Sequence, residues 1–397
     1  MIATGMIATA VSLLALAVWA YLLFGRGWFW LSQERDDLIA APSGARSADW
    51  PSVVAIIPAR DEADMIPHSV GALLRQDYDG RFSIVIVDDQ SSDGTAAAAS
   101  AAARAAQGAE RLRIVAGSGP PPGWTGKLWA MRQGLAAVEA GGAVPEFVLF
   151  SDADIAYAPH ALSRLAAIAR ARGSVLTSLM VKLNCESAAE RWLVPAFVFF
   201  FQMLYPFAWV NDPARGAAAA AGGCMLVRRE ALAAAGGLAA VSGALIDDCA
   251  LGRLMKRQGP IWLGLTQDIR SLRPYPAFAD FRRMVTRSAF AQLRYSARRL
   301  AGAVAGMGLT YLAPPLLAIF ARGVPQLIGA LAWAMMAVAF APMLRFYRRP
   351  LLSALALPAI ALIYVAFTLE SAIEYWRGRG GTWKGRVQAP MREAGRA

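Results

Sequence analysis

Three acidic pairs stand where apolar runs stop. The run Phe147–Phe150 meets Asp152 and Asp154, one residue apart, and then Pro159. The run "FSIVIVDD" (82–89) closes on Asp88 and Asp89, and "LIDDCALG" (245–252) sets Asp247 and Asp248 before a helix-like stretch. Two carboxylates held side by side at the end of a buried strand repel each other. A hard divalent cation, Mg²⁺ or Mn²⁺, removes that cost, since such ions take one or two carboxylates plus phosphate oxygens of a ligand. Asp152-x-Asp154 therefore suits a metal that bridges to a diphosphate. Asp88 or Asp89 suits a ribose or base contact, the usual work of a strand-end acid in a doubly wound sheet; turn formation with "QSSDGT" is the plainer alternative. For Asp247–Asp248, taken alone, capping of a helix N-terminus is the plainer role. Only two histidines exist, His68 and His160, so acid–base work falls to carboxylates.

A cation accompanies the acids. In "PGWTGKLWAMRQGL" (122–135), Lys127 stands at an expected helix start behind Gly123 and Gly126, a setting for phosphate. The stretch is not a Walker A loop, because GxxxxGK[ST] is absent.

The elements that must position these groups alternate. β-Branched apolar runs at 52–57, 82–89, 111–117 and 146–154 are separated by helix-like stretches at 62–75, 94–107 and 126–140. That order predicts βαβ units in an α/β, Rossmann-like, mostly parallel sheet. "SSDGT" (91–95) reads as a strand-to-helix turn with Ser92 or Asp93 as the cap, and 216–232 as a small-residue loop, a short strand and a helix start.

Composition adds a second medium. The 397 residues are 57% hydrophobic and 17% charged, with a mean hydropathy of +0.40: too apolar for an ordinary soluble enzyme, too polar for a pure membrane bundle. Residues 6–24 are uncharged and long enough to span. No basic residue precedes them, and Arg26 and Arg35 follow, which predicts an uncleaved anchor with the next domain in the cytoplasm. Residues 192–210 are uncharged and aromatic but interrupted by Pro195 and Pro206; an interface-lying or re-entrant segment is expected there. Residues 270–300 carry eight arginines and one acid, Asp280, interleaved with apolar side chains, the pattern of a helix on an anionic membrane surface. Uncharged runs follow at 303–321, 324–344 and 351–369, with "RFYRRP" (345–350) between the last two. The net charge of +12 is read as cytoplasmic positive flanks. Nucleic acid is not an expected partner, as no aromatic-basic motif, zinc spacing or RNA-binding signature occurs. Three scattered cysteines argue against a disulfide framework or structural zinc.

The motifs "VVAIIPARDEADMI", "IVIVDDQSSDGT", "GWTGKLWAMRQGL", "FSDADIAYAP", "GGCMLVRREALAAAGG" and "LIDDCALGRLMKRQG" occur in the order typical of family 2 glycosyltransferases of the GT-A type. With the apolar runs, the chain most resembles the bacterial hopene-associated glycosyltransferases, relatives of the ceramide glucosyltransferases. The resemblance covers about residues 50–300. It implies a nucleotide-sugar donor, UDP-linked, inversion at the anomeric carbon, and a lipid hydroxyl as acceptor, a hopanoid among the candidates. Carried over by motif, Pro58, Arg60 and Glu62 line the nucleotide pocket, Asp88 or Asp89 holds the uridine, and Lys127 faces the base or diphosphate. Asp152 and Asp154 are the metal and diphosphate acids, with Asp247–Asp248 as the catalytic pair and Asp248 as general base. The relatives carry Q/R-x-x-R-W near the membrane; "AQLRYS" here offers Gln292, one position off, Arg294 and Tyr295, and Arg294 is a candidate for the leaving diphosphate.

The expected organisation is an anchor over 1–30, a GT-A catalytic domain over 50–270, a basic amphipathic interface segment over 271–300, transmembrane helices over 301–372 and a basic tail over 373–397. The expected place is the bacterial inner membrane, multi-pass, with the catalytic domain facing the cytoplasm. Alternatives are a polyprenyl-phosphate sugar transferase, a polysaccharide synthase and, from another class, a non-catalytic membrane scaffold. One conflict remains within this scheme: an outside N-terminus followed by three later spans puts the basic tail outside.

Overall fold

The computed structural model describes residues 2–39, 50–142, 144–380, 382–383 and 386–387; most of the expected 373–397 tail lies outside them. Eight strands form one sheet: β1 Val53–Ala59, β2 Phe82–Asp88, β3 Leu112–Ala116, β4 Phe147–Ser151, β5 Ile155–Tyr157, β6 Leu176–Lys182, β7 Cys224–Arg228 and β8 Ile261–Ser271. Their order is β3-β2-β1-β4-β7-β6-β8-β5. The first four pair in parallel; β7 is antiparallel to both neighbours, β6 and β8 are parallel, and β5 is an antiparallel edge. The 3-2-1-4 half is the Rossmann-like arrangement the alternating pattern predicts.

Side chains alternate across the sheet as a two-residue period requires. Val54 and Ile56 of β1 and Val148 and Phe150 of β4 face one way, packing with Leu128, Met131 and Leu135 of helix Gly126–Ala140. Val53, Ala55 and Ile57, with Phe147 and Leu149, face the other way, onto helices Ile66–Leu74, Thr95–Ala105 and Ala161–Ala171. With both faces covered, β1 and β4 are wholly buried, which explains their continuous apolar runs.

The first of these cores runs on into the apolar helices. It includes Trp19, Met336, Phe340 and Tyr364 as well as the sheet residues. Among the described residues, four helices are long and apolar enough to cross a membrane: Gly5–Gly25, Ala297–Phe320, Val324–Phe346 and Leu351–Trp376. The first and second are joined by the Trp19 indole, which donates to the Thr310 carbonyl at 2.7 Å.

Helix Ala188–Leu204 is the seam. It breaks at Tyr205–Pro206, and its Phe199 and Phe200 pack on Phe340, Tyr311 and Tyr364 of the apolar helices. Arg26, just past the first apolar helix, donates to the Met203 carbonyl at 2.7 Å. Residues 192–210 thus comprise the rest of that helix, the break and most of helix Phe207–Asn211, and Phe199 and Phe200 among them dock the sheet onto the apolar bundle.

Candidate active site

The carboxyl ends of β1 and β4 lie side by side, and an open sheet of this kind presents its ligand crevice at those ends. A cleft of about 370 Å³ opens there. Pro58, Arg60 and Glu62 after β1 line it, as do Asp152 and Asp154 after β4 and Thr125 and Lys127 at the start of helix Gly126–Ala140. The opposite wall carries Asp247 at the start of helix Asp247–Lys256, and Arg273 and Tyr275 after β8. Helix Phe278–Thr286 forms the mouth with Asp280, Arg283 and Met284, and Arg287 follows. A separate hollow lined by Gln76, Tyr78, Arg81 and Arg111 contains no carboxylate.

Lys127 stands among three acids. Its Nζ is 2.7 Å from Asp152 Oδ1 and 3.3 Å from Asp247 Oδ2. Burial works against its charge, but the fields of Asp152 and Asp247 outweigh burial and hold its pKa above the ordinary lysine value. Helix Gly126–Ala140 delivers it there, with the Thr125 hydroxyl accepting the Leu128 N–H at 3.4 Å as the cap. For Asp152, low-dielectric surroundings push the carboxyl up, Lys127 pulls it back and Asp154 adds to the push; the outcome is above the ordinary value.

Asp154 has its own cation. Arg273 Nε donates to its Oδ2 at 2.9 Å, and the same guanidinium donates through Nη2 to both oxygens of Glu62, at 2.6 and 2.7 Å. In this structure Asp152 and Asp154 are thus each paired with a cation of the chain, Lys127 and Arg273. The carboxylates still suit Mg²⁺ or Mn²⁺ in donor type and in sharing one cleft. Among the described residues no group of three or more His, Cys, Asp or Glu is arranged to hold a metal, and one or two carboxylates plus ligand phosphates are what such an ion needs.

The pair Asp247–Asp248 splits. Asp247 lines the cleft wall. Asp248 lies behind it, where Oδ1 accepts the Cys249 N–H at 2.6 Å and Oδ2 the Gly222 N–H at 3.0 Å. Asp248 thus satisfies one free N–H of the helix's first turn, while the N-cap position, Ile246, has no side-chain cap. Gly222 lies against both Asp248 and Lys127: a Cβ added there would lie 3.3 Å from Lys127 Nζ and 3.4 Å from Asp248 Oδ2. A Cβ added at Gly252 would lie 2.6 Å from the Ala219 carbonyl carbon, so the small residues at 217–223 let helix Asp247–Lys256 settle against the cleft floor. Burial first, and Asp247's charge second, push the Asp248 carboxyl up to about 6.

Several expected site residues fall elsewhere. Asp88 Oδ1 accepts the Ser91 N–H at 3.0 Å, the turn role. Asp89 is buried, with Arg60 Nη1 donating to its carbonyl at 2.7 Å and 3.7 Å from its Oδ2. Neither acid lines the cleft; Arg60 does, so Asp89 acts on the cleft through Arg60. Asp93, one of the two expected caps, accepts the Thr95 N–H at 3.0 Å. Arg294 is not a lining residue either. It and Tyr295 take left-handed backbone (φ 52° and 55°) just past helix Ala289–Gln292, and Tyr295 stacks on Tyr375. The arginines the cleft does present are Arg273, Arg283 and Arg287, all within the stretch read for its membrane-surface pattern, together with Arg60 after β1.

A Rossmann-like sheet whose strand ends bring acids and cations to one cleft is joined here to helices long and apolar enough to cross a membrane. The model of the family described as "Glycosyltransferase like family 2" matches residues 51–287, more than half of the chain, and the chain belongs to that family. Among solved structures it is similar to the mannosyltransferase PcManGT from Pyrobaculum calidifontis in complex with GDP-Man and Mn²⁺, at 18% identity over 92% of this chain and 98% of that one, with a TM-score of 0.50. Lower matches include mannosyl-3-phosphoglycerate synthase from Rubrobacter xylanophilus (16% identity, 68% of this chain and 82% of that one, TM-score 0.39). Glucosyl-3-phosphoglycerate synthase from Mycobacterium tuberculosis, in complex with Mg²⁺ and UDP, matches at 17% identity over 57% of this chain and 75% of that one, TM-score 0.33. For the Pyrobaculum structure, at 18% identity, the likeness is one of fold. No curated protein matches the chain in sequence.

The Asp248 carboxyl gives a stability signature. Its folded-state value, about 6, exceeds its ordinary value of 3.8. Such a group favours the folded state below about 4, and that contribution is lost as pH rises through about 6. The melting temperature of Asp248→Asn relative to wild type should therefore shift in the variant's favour between pH 4 and pH 7. A difference that does not change with pH contradicts the placement of this side chain.

Proposed function

We propose that the protein is a membrane-bound inverting glycosyltransferase that moves a sugar from a UDP-linked donor to a lipid hydroxyl, with a hopanoid as the candidate acceptor. The observation that supports it best is the continuity of the cleft with the apolar bundle: helix Phe278–Thr286 contributes Arg283 and Met284 to the cleft mouth while its Phe278 and Phe281 pack on Phe367 and Tyr364 of the last apolar helix. A hydroxyl that stays at the bilayer surface reaches a cleft placed there. The Pyrobaculum mannosyltransferase of similar fold was solved with a nucleotide sugar and Mn²⁺, and the same classes of donor and ion are proposed here. The uridine rests on the motif resemblance.

An alcohol at neutral pH is a weak nucleophile. As its oxygen bonds to the anomeric carbon, the carbon–oxygen bond to the diphosphate breaks with its electron pair leaving on the phosphate, and the hydroxyl proton passes to a carboxylate. By motif resemblance that base is the Asp247–Asp248 pair, with Asp247 lining the cleft and Asp248 directly behind it, a role of about 10²–10⁴ in rate. Asp247 keeps Lys127 in place, and Lys127 and Arg273 face the charge gathering on the leaving diphosphate. A divalent ion bound at Asp152 and Asp154 would add Lewis-acid stabilisation of that same charge. Pro58 and Arg60 form the nucleotide side of the cleft.

Hydrogen bonds along the bundle support a membrane placement. Gln267 Nε2 donates to the Phe346 carbonyl at 3.0 Å, so helix Val324–Phe346 ends against the catalytic domain. The chain then turns back: the Trp333 indole donates to the Leu355 carbonyl at 3.2 Å, and Trp333 lies about 20 Å from Phe346 along that helix at 1.5 Å per residue. From that depth helix Leu357–Trp376 returns to the cleft mouth. Tyr364 donates to the Leu193 carbonyl at 2.8 Å and Ser371 to the Thr286 carbonyl at 2.6 Å. The reading these bonds support is a re-entrant last segment, three crossings, an outside N-terminus and a catalytic domain and basic tail both in the cytoplasm of a bacterial inner membrane, in keeping with the positive-inside rule.

Incubating purified protein with UDP-sugars and a membrane lipid extract should yield a new glycolipid by mass spectrometry, and Asp248→Asn should abolish it while donor affinity changes less than about threefold, well under the 1.4 kcal/mol of a tenfold change. Elongated polymer, or dependence on a phosphorylated acceptor, would redirect the assignment to a polysaccharide synthase or a polyprenyl-phosphate transferase. For the topology, a green fluorescent protein fused after the last residue should fluoresce and an alkaline phosphatase fused there should be inactive; the reverse pattern means the last helix crosses.

A further inference from the structure

Arg273 lines the cleft beside the exits of β1 and β4. Its guanidinium holds Glu62 through two hydrogen bonds and Asp154 through a third, and the Ser271 hydroxyl donates to the same Asp154 oxygen at 3.3 Å. Glu62 and Asp154 are each 8% exposed. They follow β1 and β4, which are hydrogen-bonded neighbours, so one guanidinium ties two adjacent strand ends to the exit of β8. Asp152 differs. Its cation is Lys127, and its side chain keeps 36% of its surface exposed.

Buried carboxylates this close need a positive charge, and leaving one without its partner is strongly unfavourable. A guanidinium and a divalent ion compete for the same carboxylate lone pairs. A guanidinium also matches a phosphate's paired oxygens at least as well as a carboxylate's. We propose that Arg273 is a positioning residue that occupies the divalent-ion seat at Asp154 in the donor-free enzyme. It keeps free Mg²⁺ or Mn²⁺ out of the cleft and gives up Asp154 when a donor diphosphate arrives to take its fork, so that ion and nucleotide load together. This rests on the nucleotide-sugar reading of the cleft and adds an order of events to it. The exchange breaks and forms only ion pairs and hydrogen bonds.

The test is Mn²⁺ binding to the full chain in detergent, followed by electron paramagnetic resonance of the free ion, with and without UDP. Wild type should bind Mn²⁺ weakly alone and about tenfold or more tightly with UDP. Arg273→Gln should bind Mn²⁺ alone about tenfold or more tightly than wild type, lose most of the UDP dependence, and gain more in melting temperature from Mn²⁺ than wild type does. Arg273→Lys, which keeps a charge near both acids, should fall between the two. Arg273→Gln that melts cooperatively yet binds Mn²⁺ as weakly as wild type would overturn the proposal. So would wild type that binds Mn²⁺ equally well with and without UDP, a result independent of whether the variant folds. Wild type that takes up neither UDP nor Mn²⁺ overturns the donor reading itself, and the proposal with it.

Discussion

Carboxylates gathered at the ends of buried parallel strands must be neutralised. β1 and β4 are adjacent and point the same way, so Glu62, Asp152 and Asp154 arrive at one crevice whatever else the chain does. In water their repulsion would be slight; beside a covered sheet it is not. The chain answers with Lys127 for Asp152 and Asp247, and Arg273 for Asp154 and Glu62. Those two cations draw in the rest of the site. Lys127 is delivered by a capped helix that packs on the sheet, and Arg273 by the strand that leads to the interface helices.

The second organising feature is the shared core. One hydrophobic cluster runs from Ile56 and Phe150 of the sheet through Phe199 and Phe200 to Phe340 and Tyr364 of the apolar helices. The catalytic unit is therefore fixed against the bundle by packing, not suspended from an anchor by a linker. The cleft mouth is built from the same helix that touches both, which gives the proposed lipid acceptor a short path to the acids.

What could be read from sequence was local. Alternating apolar runs placed β1 to β4 and their helices within a few residues, because period and turn chemistry act over short windows. The acids at 152 and 154 and Lys127 were found for the same reason: each stands at the junction of two recognisable elements. Arg273 was not, because its partner Glu62 is 211 positions away and nothing near it marks the pairing. By pattern alone it groups with Arg283 and Arg287 among the eight arginines of residues 270–300. Arg294 was favoured on motif resemblance, although its left-handed backbone is a folding role that no spacing rule announces. For residues 192–210, apolar aromatic content looked the same whether lipid or protein covers it; only the packing on Phe340 and Tyr364 shows that protein does.

The central claim is that the acids after β4 belong to a nucleotide-sugar site. Calorimetric titration of a UDP-sugar in the presence of Mn²⁺ into the full chain, alongside Asp152→Asn, addresses it most directly. The account predicts saturable binding at one site per chain, weakened about tenfold or more in the variant. Absence of donor uptake by the wild type, or equal affinity in the two proteins, would contradict it.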